Sequence, residues 1–328
     1  MITRAFACYS LNEEERSHSS SGGIYPLIAR EVLRNGGVVY AACYDDNLGV
    51  AHKLIENIDG VLDSQGSKYV QSSLSTSFRS IISRLNDGEE VLFVGTPCQC
   101  AGLVSLTNET KTPRSHLHII DFVCHGVPGR VAWNGYKKSR SIDGNIIDSI
   151  NMRDKSTGWT NGNYAWKETM VNGETTVTPR RQNPYMKGML ANLYLRPSCF
   201  ACSFKGINRC TDITLGDYWG VWDHLPEMDD NKGTSLVLVH TEQGMRLFEG
   251  IKDFIKIADA DIERAIKANS CIAEATKYNI KREEFFDRLN SGEDFITIVD
   301  DLTKTSFISK VKNKMVKLVR TPWGGVHK

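Results

Sequence analysis

Apolar positions along the chain follow two rhythms. Apolar runs of four to seven residues at 38–43, 91–94, 117–123 (broken by His118 and Asp121) and 236–239 have the length and composition of strands buried on both faces of a sheet. Elsewhere the apolar residues recur at helical spacing. Leu27, Ile28 and Val32 stand opposite Arg30, Glu31 and Arg34, which predicts a helix over 24–35, and further helices are expected near 74–86, 99–106, 131–136, 186–193, 242–251 and 260–289. A strand is also predicted over 49–55. Alternating runs at 146–150, 164–171 and 174–177 enclose the pair Asn172-Gly173, a strong hairpin signal, so antiparallel strands are predicted there. After Asp301, Lys304, Lys310, Lys312, Lys314, Lys317 and Arg320 interleave with Phe307, Ile308, Val311, Met315, Val316 and Val319. That pattern predicts a basic amphipathic helix suited to an anionic membrane surface, to an acidic partner or to packing on its own domain.

Together these elements predict an α/β (mixed α+β) fold with a central sheet flanked by helices. A chain of 328 residues exceeds the size at which one core stops growing. A smaller N-terminal subdomain (1–88), a central subdomain (89–258) and a helical C-terminal extension (259–328) are therefore expected. The net charge of +1 gives no reason to invoke nucleic acid. No apolar run approaches the roughly 20 residues that span a bilayer, and the first residues run straight into Glu13, Glu14 and Glu15, unlike a signal peptide. A cytoplasmic location is expected. In that reducing setting an odd count of nine cysteines argues for metal or redox chemistry over a disulfide framework.

The cysteines cluster informatively. Cys98, in Gly95-Thr96-Pro97-Cys98-Gln99, and Cys124, in Cys124-His125-Gly126, each follow a predicted buried strand. Both thiols should thus reach the carboxyl rim, where ligands collect in α/β sheets. Cys98 should also begin a helix, where the dipole favours thiolate. Cys199-x-x-Cys202 has the spacing with which two thiolates grip one metal centre, and Cys210 follows within twelve residues of Cys199. Cys8, Cys43 and Cys271 stand alone and read as small buried hydrophobes, Cys100 as a packing residue, and His52 as a surface residue without a role. Ser21-Gly22-Gly23 before a helix offers free N–H groups to a phosphate, or simply caps that helix. Gln65 to Ser72 packs a glycine, Ser67, Lys68, Tyr69 and the amide of Gln71 together, the mixture a nucleotide or flavin would use or an ordinary helix entry. Arg153 and Lys155 lie on a polar loop that reads as a lid or as a plain surface turn.

Six motifs in order carry a family resemblance: Ser19 to Gly23, Gly66 to Gln71, Gly95 to Gln99, Val123-Cys-His-Gly126, Arg196-Pro-Ser-Cys-x-x-Cys202 and Asp212-Ile-Thr-Leu-Gly-Asp-Tyr-Trp-Gly220. Over about residues 5 to 250 the chain resembles the beta-subunit family of deazaflavin (coenzyme 420) hydrogenases and dehydrogenases. More closely it is similar to stand-alone bacterial members found among polysaccharide-synthesis genes. The resemblance implies an iron-sulfur flavoprotein oxidoreductase passing electrons between a 4Fe-4S cluster, a flavin (FAD rather than FMN) and a small-molecule substrate, with the deazaflavin a weaker alternative as acceptor. It implies Cys98, Cys124, Cys199 and Cys202 as cluster ligands, with Cys210 as the alternative to Cys124. The flavin is expected against Ser21, Gly22, Gly23, Ser67, Lys68, Tyr69 and Gln71, with Thr96 and Gln99 beside it, which makes 1–88 the flavin-contacting part and 89–258 the catalytic part. No ferredoxin-like CxxCxxC run is present, so an external donor such as ferredoxin or flavodoxin is implied. Two rivals stand: a non-catalytic electron-transfer subunit that docks a partner, and a binding module stapled by zinc on Cys199, Cys202 and Cys210.

Overall fold

The computed structural model describes residues 3–141 and 143–304. In chain order it runs β1 (Arg4–Ser10), α1 (Glu13–His18), α2 (Ile24–Arg34), β2 (Val38–Tyr44), β3 (Val50–Ile55), α3 (Ile58–Ser64), α4 (Ser77–Asn86), β4 (Val91–Gly95), α5 (Pro97–Glu109), β5 (Leu117–Phe122) and α6 (Arg130–Arg140). There follow β6 (Ile147–Asp154), β7 (Ala165–Met170), β8 (Thr175–Pro179), α7 (Pro184–Leu190), β9 (Ile213–Asp217), α8 (Val221–His224), β10 (Ser235–Val239), α9 (Glu242–Gly250), β11 (Ile255–Asp259), α10 (Ile262–Ala268), α11 (Arg282–Asn290) and α12 (Phe295–Thr303). The mixed α/β architecture is the expected one.

Eight strands form one sheet in the order β11-β1-β10-β9-β5-β4-β2-β3. Its central block β2-β4-β5-β9 is parallel, and the outer pairs are antiparallel. The segments 1–88 and 89–258, expected as separate subdomains, both feed this sheet. β1, β2 and β3 come from the first and β4, β5, β9 and β10 from the second, while β11 straddles the 258/259 boundary. Val39, Leu92, Ile120, Ile213 and Val237 are fully buried between α2 and α9 on one face, as strands covered by helices require.

The three-stranded antiparallel sheet β6-β7-β8 turns at Asn172-Gly173 as the alternation predicts, with Gly173 at φ +87°. Against it α6, α7, α11 and α12 bury Trp133, Tyr136, Trp166, Tyr185, Tyr194, Phe285 and Phe295. Charge is admitted to this core only when paired. Glu168 receives the Tyr136 hydroxyl at 2.8 Å and Arg140 Nε at 2.5 Å. The single helix expected over 260–289 is instead α10, an irregular stretch and α11. α10 ends at Ala268, and within the irregular stretch Asn279 donates its side-chain amide to Ala191 O at 2.6 Å. No helix among the described residues is long and apolar enough to cross a membrane. The basic stretch expected to form a terminal helix lies, but for Lys304, outside the described residues.

Candidate functional site

Because β4, β5 and β9 are parallel neighbours, they end at one rim, at Gly95, Phe122 and Asp217. Thr96 caps α5, receiving back the Gln99 side chain: the Thr96 N–H donates to Gln99 Oε1 at 2.9 Å. The Oε1 of Gln99 is thus committed to the cap. Pro97 takes the first helical position. Cys98 follows, exposed, with its sulfur 3.2 Å from Thr96 Oγ1. Cys124 leaves β5 two residues beyond its end. Its thiol is pushed up to about 12 by burial; Lys205 opposes the rise, and the neighbouring thiols of Cys199, Cys98 and Cys202 add to it. Burial also raises Cys199, against a hydrogen bond from Val127 N–H to its sulfur at 3.4 Å. These four thiols are therefore mutual electrostatic neighbours, gathered from the start of α5, the loop after β5 and the turn at 197–202.

Cys210 keeps other company. It is exposed, and the charges that reach it are Asp121, Arg209 and Arg114. Among the described residues no three His, Cys, Asp or Glu groups stand close enough to hold a single metal ion. A zinc ion bound at about 2.3 Å per sulfur needs its ligands nearly touching. A four-iron cluster is a larger body whose ligands stand further apart, and an all-thiol donor set suits it.

Surrounding groups fix the thiol-bearing loops. Lys205 donates to the carbonyls of Cys124 and Cys271, the latter at 2.9 Å. His125 holds Asn192 Oδ1 at 2.7 Å through Nε2 and lies 3.4 Å from Cys271 Sγ through Nδ1. Cys271, expected among the buried hydrophobes, is half-buried beside this histidine, whereas Cys8, Cys43 and Cys100 are buried.

A cavity of about 320 Å³ opens along the same rim, lined by Cys98 and Cys124 at one end and by the 19–26 and 64–72 segments. That size falls in the usual range for small-molecule sites. Ser20 Oγ receives the Ser67 N–H at 2.6 Å and contacts Ser67 Oγ at 2.8 Å, which clamps the two segments together. Ser21, Gly23, Ser67, Lys68, Tyr69, Gln71, Thr96 and Gln99 all line the cavity. Gly22 does not. It packs under the wall, its N–H donated to Ser235 Oγ at 2.9 Å. The Lys68 ammonium is turned onto the backbone, donating to Ser64 O, Gln65 O and Gly66 O at 3.0, 2.8 and 3.3 Å, and burial lowers it to about 8. It shapes the loop that bears it. Gln65, also in the wall, is buried with neither amide atom partnered. An unsatisfied donor and acceptor in the wall of a largely apolar cleft fit a heterocyclic ligand.

Two residues with larger roles than their sequence context indicated also face this cavity. Arg153, on β6, crosses from the small sheet to the large one and binds Asp217 through both nitrogens, at 2.9 and 2.8 Å. It also reaches Tyr69 Oη at 3.1 Å and Ser20 O at 3.0 Å, and stacks 3.9 Å from the Tyr164 ring centroid. His52, read from sequence as a surface residue, is 6% exposed. It packs on Phe93 and bonds both ring nitrogens. The sequence signals were present, an arginine in a polar loop and a histidine in a strand, but Phe93, Val94 and Asp217 lie 41 or more residues further along the chain.

Two family models match the chain, both described as "Coenzyme F420 hydrogenase/dehydrogenase, beta subunit": the model of the N-terminal part matches residues 5–79, and the model of the C-terminal part matches residues 88–264. No curated protein matches. Among solved structures the chain is similar to one from the F420-reducing NiFe hydrogenase complex of Methanosarcina barkeri. That likeness has a TM-score of 0.56 at 14% identity and covers 88% of this chain and 93% of the other. It is a likeness of fold.

Proposed function

The chain belongs to the coenzyme F420 hydrogenase/dehydrogenase beta-subunit family, a redox family, and from that premise we propose that it is an iron-sulfur flavoprotein oxidoreductase. The observation that carries the reading is the meeting of four thiols with a cleft: Cys98 and Cys124 line the cavity, and Cys199 and Cys202 neighbour them electrostatically. In this reading Cys98, Cys124, Cys199 and Cys202 hold a 4Fe-4S cluster, and Cys210, set apart beside Asp121, stays outside it. FAD lies along Ser21, Gly23, Ser67, Tyr69 and Gln71. Lys68 acts on it indirectly, by holding three carbonyls of the loop. A cluster exchanges single electrons and a flavin couples them to hydride chemistry. The chain's own residues set the stage for this: Lys205 favours the Cys124 thiolate, and Arg153 with Asp217 ties the small sheet to the rim.

A small-molecule acceptor, the deazaflavin among the candidates, would occupy the open side of the cleft; the link to polysaccharide synthesis rests on resemblance alone. A protein partner has independent support. The segments 96–102, 122–130 and 195–211 contain no carboxylate and carry the exposed Arg130 and Arg196, while Lys205 and Arg209 are turned inward onto the Cys124 carbonyl and Asp121. Phe122, Phe204, Tyr278 and Ile280 are exposed. Such a face suits an acidic electron carrier of the ferredoxin or flavodoxin type, whose reduction of the protein should slow with added salt.

Anaerobic purification with iron, sulfide and flavin analysis tests the proposal. Iron and sulfide in equal amounts with one flavin per chain are expected. A colourless, zinc-containing, flavin-free protein overturns it.

A further inference from the structure

Ser72 lies in the cavity wall, and its polarity is set from behind. The segment bearing it is pinned to β3: Ser73 N–H donates to Val50 O and His52 N–H to Ser73 O, both at 2.8 Å. Behind Ser72 stands the buried His52. Its Nε2 lies 3.0 Å from Val94 O, and its Nδ1 lies 2.8 Å from Ser72 Oγ. A backbone carbonyl only accepts, so the proton of a neutral ring must sit on Nε2. Nδ1 is then a bare lone pair, and the Ser72 hydroxyl must donate to it. The other acceptor within reach of that hydroxyl, Ser73 O, is at 3.5 Å and competes poorly. Burial lowers His52 to about 4, so the neutral form persists at physiological pH and the ring is too weak a base to activate Ser72 as a nucleophile. What Ser72 presents to the cleft is oxygen lone pairs only, and no group among the described residues donates to them.

We propose that Ser72 is a specificity-determining hydrogen-bond acceptor, its polarity locked by His52 and Val94, that receives an N–H from the ligand of the cleft. A water or a ligand hydroxyl can reverse its own polarity and would gain nothing from such a lock. A group that can only donate does gain. On the flavin reading proposed above, on which this inference rests, the match is the imide N–H, the one N–H that an oxidised flavin or deazaflavin ring carries. A carbonyl placed at Ser72 would meet lone pairs and be rejected, so the lock also sets which edge of the ring enters first.

The test is titration of flavin-depleted protein, by fluorescence quenching, with FAD and with FAD methylated at the imide nitrogen. The wild type should bind FAD about five- to tenfold more tightly than the methylated analogue, the value of one hydrogen bond. Ser72→Ala should bring the ratio close to one, and Ser72→Thr, which keeps the hydroxyl, should retain it. Nitrogen-15 NMR at neutral pH should show His52 protonated at Nε2 and bare at Nδ1, a readout independent of flavin. A ratio unchanged in Ser72→Ala, or a proton on Nδ1, overturns this proposal alone. A wild type that binds neither flavin overturns the flavin reading and this inference with it.

Discussion

Replacing Arg153 by methionine isolates the linkage between the two sheets. The guanidinium is 4% exposed and Asp217 15%, so the pair is shielded from solvent and salt. Burial works against the guanidinium, but Asp217, Tyr69 and Tyr164 more than offset it and hold its pKa well above the ordinary arginine value. Arg153→Met keeps most of the aliphatic length and leaves the Asp217 carboxylate buried beside Trp159 Nε1 as its remaining side-chain partner, at 3.3 Å. Stranding one member of a buried pair costs about 3–5 kcal/mol. Replacing both, as Arg153→Met with Asp217→Asn, removes the stranded charge and keeps an amide oxygen for Trp159 Nε1. What is then still missing is the bonds to Tyr69 Oη and Ser20 O and the stacking on Tyr164, about 1–2 kcal/mol net once water and side-chain freedom are regained. The double variant should therefore be more stable than the single one. Urea denaturation of the four proteins in a mutant cycle measures this. A double variant as unstable as the sum of its singles would refute the argument, because the pair would then contribute nothing as a pair.

Three other outcomes are expected. Cys98→Ala and Cys199→Ala should each lose the visible absorbance of the anaerobically purified protein while Cys210→Ala and Cys271→Ala keep it; loss in Cys210→Ala would reassign the fourth sulfur. His52 and His240 are both held down to about 4, chiefly by burial, whereas histidine in the unfolded chain protonates near 6.5. Between those values the unfolded chain binds more protons, so stability falls as pH drops through about 6.5 toward 4. Asp121, raised to about 6 by burial, takes up its proton first in the folded state and returns part of that loss. His240→Asn should flatten the acid limb of a plot of urea midpoint against pH, and an unchanged limb would contradict the assignment. At Gly22 an added Cβ would stand 2.3 Å from Cys8 O and 2.8 Å from Ser235 N. Gly22→Ala should cost about 3 kcal/mol by overpacking. Gly36→Ala, at φ +83° in open space, should cost about 1 kcal/mol, and equal losses of melting temperature would refute the steric account.

Much of the rim was legible because its signals are local. The run 91–94 and the helix expected from 99 bracket the turn between them, and Cys98 falls at the helix start where they put it. Asn172-Gly173 announced its hairpin in the same way. The order of the sheet was not legible. β1 sits between β10 and β11, more than two hundred residues on, and no local pattern encodes that choice. The direction of polar side chains was equally hidden. Lys68 looks like an anion ligand in sequence because nothing nearby opposes it. The left-handed Gly66, at φ +77°, belongs to the turn whose carbonyls converge on its ammonium. His52 was hidden by the exposed Lys53 beside it, which points the other way, as alternate strand residues must.

The parallel block β2-β4-β5-β9 also dictates a calendar for the molecule's making. Cys98 and Cys124 are synthesised early, but Cys199 and Cys202 follow about 75 residues later. β9, which pairs with β5 and completes the rim, is later still. The last seam of the sheet, β1 against β10 and β11, joins the first strand made to two of the last. On the cluster reading proposed above, the set of four thiols is therefore complete only once Cys202 has been made, and its rim only once β9 has paired with β5.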